Sequence, residues 1–470
     1  MNSNGNLKKG VIWSSISSFS RYVLQFGGII ILARLLSPSE YGIIGIMAVF
    51  ISVADIVIDA GLCGAIIKKE NVRDIDYSTL STFNLIVSII IYLIYYLSAP
   101  LLAEYYEQPT LTSLLRVYSL SILIFAITIA PKAKLTKSLR FKTLSLISII
   151  SGTLGLIVAI VLACNGYGPM SLVLQYLTNA IVSSILTLYF SKFHISFGFS
   201  KDSFVEQFSF GFNTTIANTL KSVSENIYNN IIGKTANLMQ TGYFTQSLKL
   251  MNVPVGFFYS LIDGTYFPVL SQIHNEEEFR EKMKDVNNKT LSIVLLLFSF
   301  GISLNKEIVY ILLGEKWIDM SWSLFMLLIS GLFITWGNIG RNIIKSTGKT
   351  FLILKYESIV FIISILCLVS IYKLGYEVIV SSYLAISIIK SIYINYLAGK
   401  IIKYNLVEQI APLRSIAFFS ILMILINTYI KVENYWLSLI IRFIVNMTLF
   451  STYLILYKPS FFKMFKYGKK

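Results

Sequence analysis

Apolar stretches long enough to cross a bilayer recur along the whole chain, and that recurrence limits its fold more than any other feature. A spanning helix needs about 20 mostly apolar residues, each advancing about 1.5 Å. About fourteen segments meet that requirement. Residues 10–36, 41–67, 80–103, 110–131, 143–164 and 169–191 form a first group of six. Residues 204–233, 242–272, 289–314, 321–345, 350–373 and 376–399 form a second, followed by a final pair at 412–430 and 435–457. Lipid offers no partner to an exposed backbone, so the expected fold is an all-α polytopic membrane protein. Composition agrees, with 14% charged residues where a soluble protein carries about 25%.

The basic residues orient these spans. With a cytoplasmic N-terminus, the even-numbered connections and both ends carry roughly 27 Lys and Arg, against roughly 7 on the opposite side. An even span count with both termini cytoplasmic follows. The net charge of +16 then reflects loops lying beside anionic lipid. These cations are dispersed and form no stripe, so nucleic acid is not expected as a partner. Lys8 and Lys9 precede an apolar run too long for a signal peptide, so residues 10–36 are expected to remain as the first span. Cys63, Cys164 and Cys367 lie in apolar runs, and His194 and His274 in separate loops, so neither a metal cluster nor a cofactor is expected. Phosphate-binding loops, dinucleotide fingerprints and nucleophile elbows do not occur, which points away from an enzyme. The polar stretch from His274 to Lys289 reads as a solvated extension of the eighth span.

One span is less apolar than it first looks. Ser14, Ser17, Ser18, Arg21, Gln25 and Gly28 recur every three or four residues in the first span and share a helical face. An arginine inside a span faces a wet cavity or a partner, or snorkels to the headgroups. A shift of about 200 residues lays the seventh span on the first, the internal-repeat test for such a chain. Ser14 then meets Thr214, Ser18 meets Asn218, Arg21 meets Lys221, Gln25 meets Glu225 and Gly42 meets Gly242. Spans six apart start on the same side of the membrane. The repeat is therefore parallel, a pseudo-two-fold pair of six-helix lobes at 1–200 and 201–403, with two trailing helices and a basic tail at 404–470.

Several segments carry a more specific resemblance. ILARLLSPSEYGIIGI at 31–46, DAGLCGAIIKKE at 59–70, APKAKLTKSLRFKTLSLI at 130–147 and NGYGPMSLVLQYL at 165–177 come in order. NNIIGKTANLMQTGYFTQSLKLMNVP at 229–254, FPVLSQI at 267–273, LLGEKW at 312–317 and STGK at 346–349 follow. Together they resemble the polysaccharide (O-antigen/capsule) transporter family, the Wzx-like oligosaccharide-lipid flippases of the multidrug/oligosaccharidyl-lipid/polysaccharide exporter superfamily.

The resemblance implies a bacterial inner-membrane protein that turns an undecaprenyl-pyrophosphate-linked sugar repeat unit from the cytoplasmic to the periplasmic leaflet. It also implies membrane lipids as neighbours, a proton or sodium ion as coupling partner, and a polysaccharide polymerase and chain-length regulator as protein partners. A diphosphate crossing the membrane loses water, and fixed cations offset that loss. Arg21, Lys221 and Lys249 are the candidates, with Gln25 beside Arg21 and Arg341 placed to guide the headgroup inward. Each has a competing assignment as an interfacial anchor or ion-pair partner. Asp55, Asp59, Glu225 and Asp263 are candidates for ion coupling or, equally, for neutralising those cations. Lys390 and Arg442 are candidates for seating lipid headgroups. Two relatives within the superfamily are alternatives, a multidrug cation antiporter and a lipid II flippase. A membrane glycosyltransferase or polymerase would need a large outer loop or a catalytic acidic motif, and neither is visible.

Overall fold

A computed structural model describes residues 22–59, 61–194, 196, 198–263, 273 and 275–466. Those residues are overwhelmingly helical. In order they form α1 (Tyr22–Leu35), α2 (Pro38–Asp59), α3 (Leu62–Lys68), α4 (Asp74–Tyr105), α5 (Thr110–Lys137), α6 (Phe141–Cys164) and α7 (Met170–Ser191). Then come α8 (Lys201–Thr235), α9 (Leu238–Leu261), α10 (Glu276–Ser303), α11 (Asn305–Leu313), α12 (Ser321–Ser346), α13 (Thr350–Ile371) and α14 (Tyr376–Ile402). The last three are α15 (Leu406–Ile410), α16 (Arg414–Tyr429) and α17 (Tyr435–Lys466).

Among the described residues, eleven helical stretches are long and apolar enough to cross a membrane. This is a multi-pass membrane protein. Three of the fourteen expected spans fall outside that set. The first, 10–36, is described only from residue 22, where Tyr22–Leu35 is a shorter apolar helix. The other two are α8 and α9, which have the length but not the apolarity. Their sequences interleave Asn, Ser, Thr, Lys and Glu with the apolar residues, so polarity is concentrated in these two helices. The charged stretch before Lys289 belongs to α10 and leads into the ninth span, so it does not extend the eighth. Asn275 starts α10 by accepting the Glu277 and Glu278 N–H groups at 2.9 and 3.1 Å, a cap the sequence carries at the head of that charged turn.

The chain clusters into two compact units. The first takes residues 1–245 with 357–366, and in it α4 packs on α5, α7 on α5 and α6, and α8 on α2. Its most informative contact involves two glycines. A Cβ on Gly42 would overlap the Leu238 carbonyl, and a Cβ on Gly242 would overlap the Pro38 carbonyl. Pro38 and Leu238 are the first residues of α2 and α9, and Gly42 and Gly242 each sit four residues on. The caps match as well. Ser37 and Glu40 form a capping box at the head of α2, with Ser37 N–H donating to Glu40 Oε2 at 2.6 Å. Asn237 accepts the Gln240 N–H at 2.8 Å at the head of α9. A contact in which i meets j and the equivalent of i meets the equivalent of j is the mark of a two-fold axis. The repeat register is therefore 200 residues.

A polar pin fastens the turn after α3 to the start of α8. Lys69 Nζ lies 2.6 Å from Glu206 and 3.3 Å from Asp76, and Ser203 Oγ donates to Asp76 at 2.7 Å. The hydrogen bond to Glu206 first, and the carboxylate of Asp76 after it, hold the Lys69 ammonium above its usual range. A raised lysine contributes its full stabilisation below the unfolded value of about 10.4 and loses it as pH climbs through the higher folded value, so the pin is intact at neutral pH.

The second unit takes residues 246–356 with 367–470. Within it α12 packs on α14 and α10, and α16 on α10 and α17. The trailing helices are tied in by buried polar groups. Arg442, expected to seat a headgroup, turns inward instead. Its guanidinium lies 3.3 Å from Glu307 and donates to the carbonyls of Ser303 at 3.2 Å and Ile430 at 2.8 Å. Glu307 is 2% exposed and also accepts from Ser438 Oγ at 2.6 Å. Asn446 Nδ2 donates to Ser303 Oγ at 2.7 Å, and Asn427 Nδ2 to Asn446 at 2.7 Å. The network locks α17 onto α10 and α11.

Candidate functional site

The first unit contains a cavity of about 690 Å³ between α2, α5, α6 and α7. Helical spacing supplies its lining. Ser145, Ser148 and Ser151 fall on one face of α6, while Asn179, Ser183 and Thr187 follow at four-residue steps on α7. Tyr118 of α5 and Tyr176 of α7 meet edge to face, with ring centroids 6.1 Å apart. The Ser145 hydroxyl donates to the Phe141 carbonyl at 2.8 Å and that of Thr128 to the Ile124 carbonyl at 3.3 Å. The Ser145 oxygen keeps a lone pair free to accept from whatever fills the space, whereas Thr128 Oγ1 is also hydrogen-bonded to Ser184 Oγ. Asp55 and Lys132 are the charged groups among the described lining residues. A polar, hydroxylated chamber with one carboxylate and one ammonium at membrane depth suits water, a cation or a hydroxylated ligand.

Outside the cavity, the same unit carries the polar face of α8. Lys221 and Glu225 stand one turn apart with Nζ and Oε1 separated by 3.9 Å, and each side chain is about one-third exposed. Asn226 Nδ2 donates to Ser52 Oγ at 3.3 Å, and Asn230 Nδ2 to the Ile46 carbonyl at 3.1 Å and the Tyr106 hydroxyl at 3.0 Å. These amides zip α8 onto α2, which explains how so polar a helix is held.

In the second unit, Lys249 is half-buried on α9. Asp263 pairs with Lys345 of α12 at 2.6 Å. Arg341, half-buried, precedes Lys345 by one turn on the same face. Among the residues singled out from sequence, then, Lys221 and Glu225 come together, and Asp263 finds a partner that sequence reasoning missed. Asp55 opens into a chamber shared with Lys132, a residue first read only as a topological charge. Gln25 is exposed on α1. Arg21 and the side chain of Asp59 lie outside the described residues. The signal that would have found the chamber was the paired hydroxyl stripes of α6 and α7.

Residues 31–322 match the model of a family described as polysaccharide biosynthesis protein. The chain belongs to that family. The match spans α2 to α11 and so includes the chamber, Lys221, Glu225, Lys249 and Asp263, while Arg341 and the trailing helices lie beyond it. The order of motifs from residue 31 onward already pointed to such a family. Within reach of this polysaccharide biosynthesis protein are relatives of similar length. It is 25% identical over 412 residues to the teichuronic acid biosynthesis protein TuaB of Bacillus subtilis (strain 168), covering 85% of this chain and 84% of that one. It is 22% identical over 354 residues to the lipopolysaccharide biosynthesis protein WzxC of Escherichia coli (strain K12), covering 74% and 71%. Among solved structures it resembles the lipid II flippase MurJ in an inward closed conformation. There the TM-score is 0.76 at 15% identity, over 95% of this chain and 99% of that one. This likeness establishes the polytopic helical fold.

Proposed function

We propose that this polysaccharide biosynthesis protein is a flippase for undecaprenyl-pyrophosphate-linked oligosaccharide repeat units. In this reading it moves them from the cytoplasmic to the periplasmic leaflet of a bacterial inner membrane by ion-coupled alternating access. Both termini are cytoplasmic, the lobes are 1–200 and 201–403, and 404–470 is an appended pair with a basic tail. A polymerase and a chain-length regulator receive the product. The glycan-assembly roles in the names of TuaB and WzxC support the substrate class.

The observation that carries the reading is the half-exposed Lys221–Glu225 pair on a helix whose length suits a span but whose surface is polar. A pair of this geometry is weak, about 0.3–0.5 kcal/mol when solvated. An arriving diphosphate, with more charge and more acceptor oxygens, displaces Glu225 and takes the ammonium. Arg21, Gln25 and Lys249 supply further contacts, and Arg341 draws the headgroup in. Asp55, with Asp59, Glu225 and Asp263, carries the coupling ion. The lipid tail stays in the bilayer while the head crosses.

The test replaces Lys221 by Ala and by Arg in the full chain, with membrane expression matched, and follows surface-glycan display and cytoplasmic-leaflet lipid-linked oligosaccharide. Lys221→Ala is expected to cut display about tenfold or more and to accumulate the lipid intermediate, and Lys221→Arg to retain most display. Normal display in Lys221→Ala removes this residue from substrate binding.

A further inference from the structure

The junction between α14 and α15 has a feature that the transport reading does not use. Lys403 ends α14 with φ 53° and ψ 47°, in the left-handed region where glycine is usual. The surroundings enforce this. The Tyr404 N–H bonds back to the Gly399 carbonyl at 3.0 Å, and the Tyr404 carbonyl packs so close to Gly399 that a Cβ there would overlap it. Tyr404 itself is fixed. Its ring is buried, its hydroxyl accepts from Asn287 Nδ2 at 3.4 Å, and its carbonyl accepts from Gln409 Nε2 at 3.0 Å. Gln409 in turn accepts the Trp336 indole N–H at 3.2 Å. Glycine is usual at such a helix end, yet a lysine occupies it, as Lys192 does after α7.

Beside the turn lies a cavity of about 490 Å³. Lys400 and Lys403 both line it, and among the described residues neither is in an ion pair. Glu408 does not line it; its carboxylate accepts from Asn405 Nδ2 at 3.0 Å while the Asn405 side chain caps α15. Apart from Asn405, the remaining wall is mostly apolar, and it is open. Lys400 Nζ sits 4.5 Å from the centroid of the half-exposed Tyr396 ring, and Val407 is 75% exposed. The pocket connects two membrane-crossing stretches, Tyr376–Ile402 and Leu406–Tyr429, which sets it at the depth of the headgroups.

We infer that this pocket binds the phosphodiester headgroup of an anionic phospholipid. Two lysines outside any ion pair among the described residues line the pocket, Lys400 with its ammonium over the Tyr396 ring, and their stems join exposed aliphatic carbon in an otherwise mostly apolar wall. An amphipathic ligand whose single negative charge adjoins alkyl chain satisfies both. A free phosphate would leave the apolar wall wet, and a zwitterionic lipid brings its own ammonium against the lysines. The left-handed turn holds Lys403 in the pocket wall at the end of α14.

Native mass spectrometry of the full chain from detergent tests this, with phosphatidylglycerol, phosphatidylcholine or deacylated glycerophosphoglycerol added. The variants are Lys400→Gln and Lys403→Gly. The second removes the cation while suiting the left-handed turn, so its folding is protected. Wild type is expected to retain one more tightly bound phosphatidylglycerol than either variant. Each variant's occupancy should fall about fivefold, the scale of one lysine's attraction to anionic lipid, with phosphatidylcholine binding unchanged. Equal phosphatidylglycerol occupancy in all three proteins overturns the site. Equal retention of phosphatidylcholine by wild type overturns the anionic requirement. Displacement of the lipid by equimolar glycerophosphoglycerol reassigns the pocket to a water-soluble phosphodiester and overturns the lipid assignment.

Discussion

Glu225 approaches Lys221 only to 3.9 Å on a half-exposed helix face, whereas Glu307 meets Arg442 at 3.3 Å with the carboxylate 2% exposed. Burial decides what each pair does. A solvated pair contributes a few tenths of a kcal/mol and is free to exchange partners. Removing one member of a buried pair leaves the other uncompensated, at about 3–5 kcal/mol. Arg442→Met should therefore lower the stability of the full chain in detergent by about that amount. Pairing it with Glu307→Gln should recover much of the loss, since no buried charge then stands alone. Thermal unfolding of the two variants checks this; a double variant as unstable as Arg442→Met would mean that packing, not charge, dominates. Asn446, Asn427 and Ser438 complete the same network and make α17 an integral part of its unit.

Among the elements, α2 and α9 show how a small residue sets a crossing. The overlap that a Cβ would make with the opposing carbonyl leaves room only for glycine at 42 and 242. Gly42→Ala and Gly242→Ala are each expected to cost about 1–3 kcal/mol, the usual penalty for overpacking. Both changes relieve themselves by moving the same helix pair apart, so the double variant should cost less than the sum, a coupling readable in a double-mutant cycle. Additive losses would mean that the two glycines sit in independent contacts. The equivalence of Gly42 and Gly242 was legible in the repeat, but not that their two helices meet there. The helical architecture was legible too, through the apolar periodicity. The partners were less so. Asp263 and Lys345 are 82 residues apart in sequence, and no periodicity connects an acid on one helix to a lysine on another. Arg442 looked like a headgroup anchor because one residue's hydropathy does not reveal which way its helix faces. The chamber's hydroxyl stripes on α6 and α7 were present in the sequence, but Ser and Thr in helices commonly bond their own backbone, so such stripes do not by themselves announce a cavity.

For the whole molecule, the ion-coupled mechanism proposed above would need a group whose occupancy by an ion changes the preferred conformation. Asp55 is the group proposed for that role because its carboxylate opens into a chamber, partly polar and open on one side, that also holds Lys132 and the Tyr118–Tyr176 pair. Binding a proton or Na⁺ there removes one negative charge from a site shared with an ammonium, and so alters the balance that the chamber's walls maintain. Neutralising Asp55 should accordingly separate driving force from passage. In proteoliposomes loaded with a fluorescent lipid-linked oligosaccharide, an imposed proton or Na⁺ gradient should shift the leaflet distribution in wild type. Asp55→Asn should still let the substrate equilibrate between leaflets, but with the gradient-driven excess reduced about tenfold, the effect of losing about 1.4 kcal/mol of coupling. The readout is the fraction of fluorophore quenched from outside, with and without the gradient. A gradient response in Asp55→Asn equal to wild type would move the coupling role to Glu225 or Asp263. Loss of all equilibration would instead make Asp55 part of the substrate path, because a group that only couples leaves downhill passage intact.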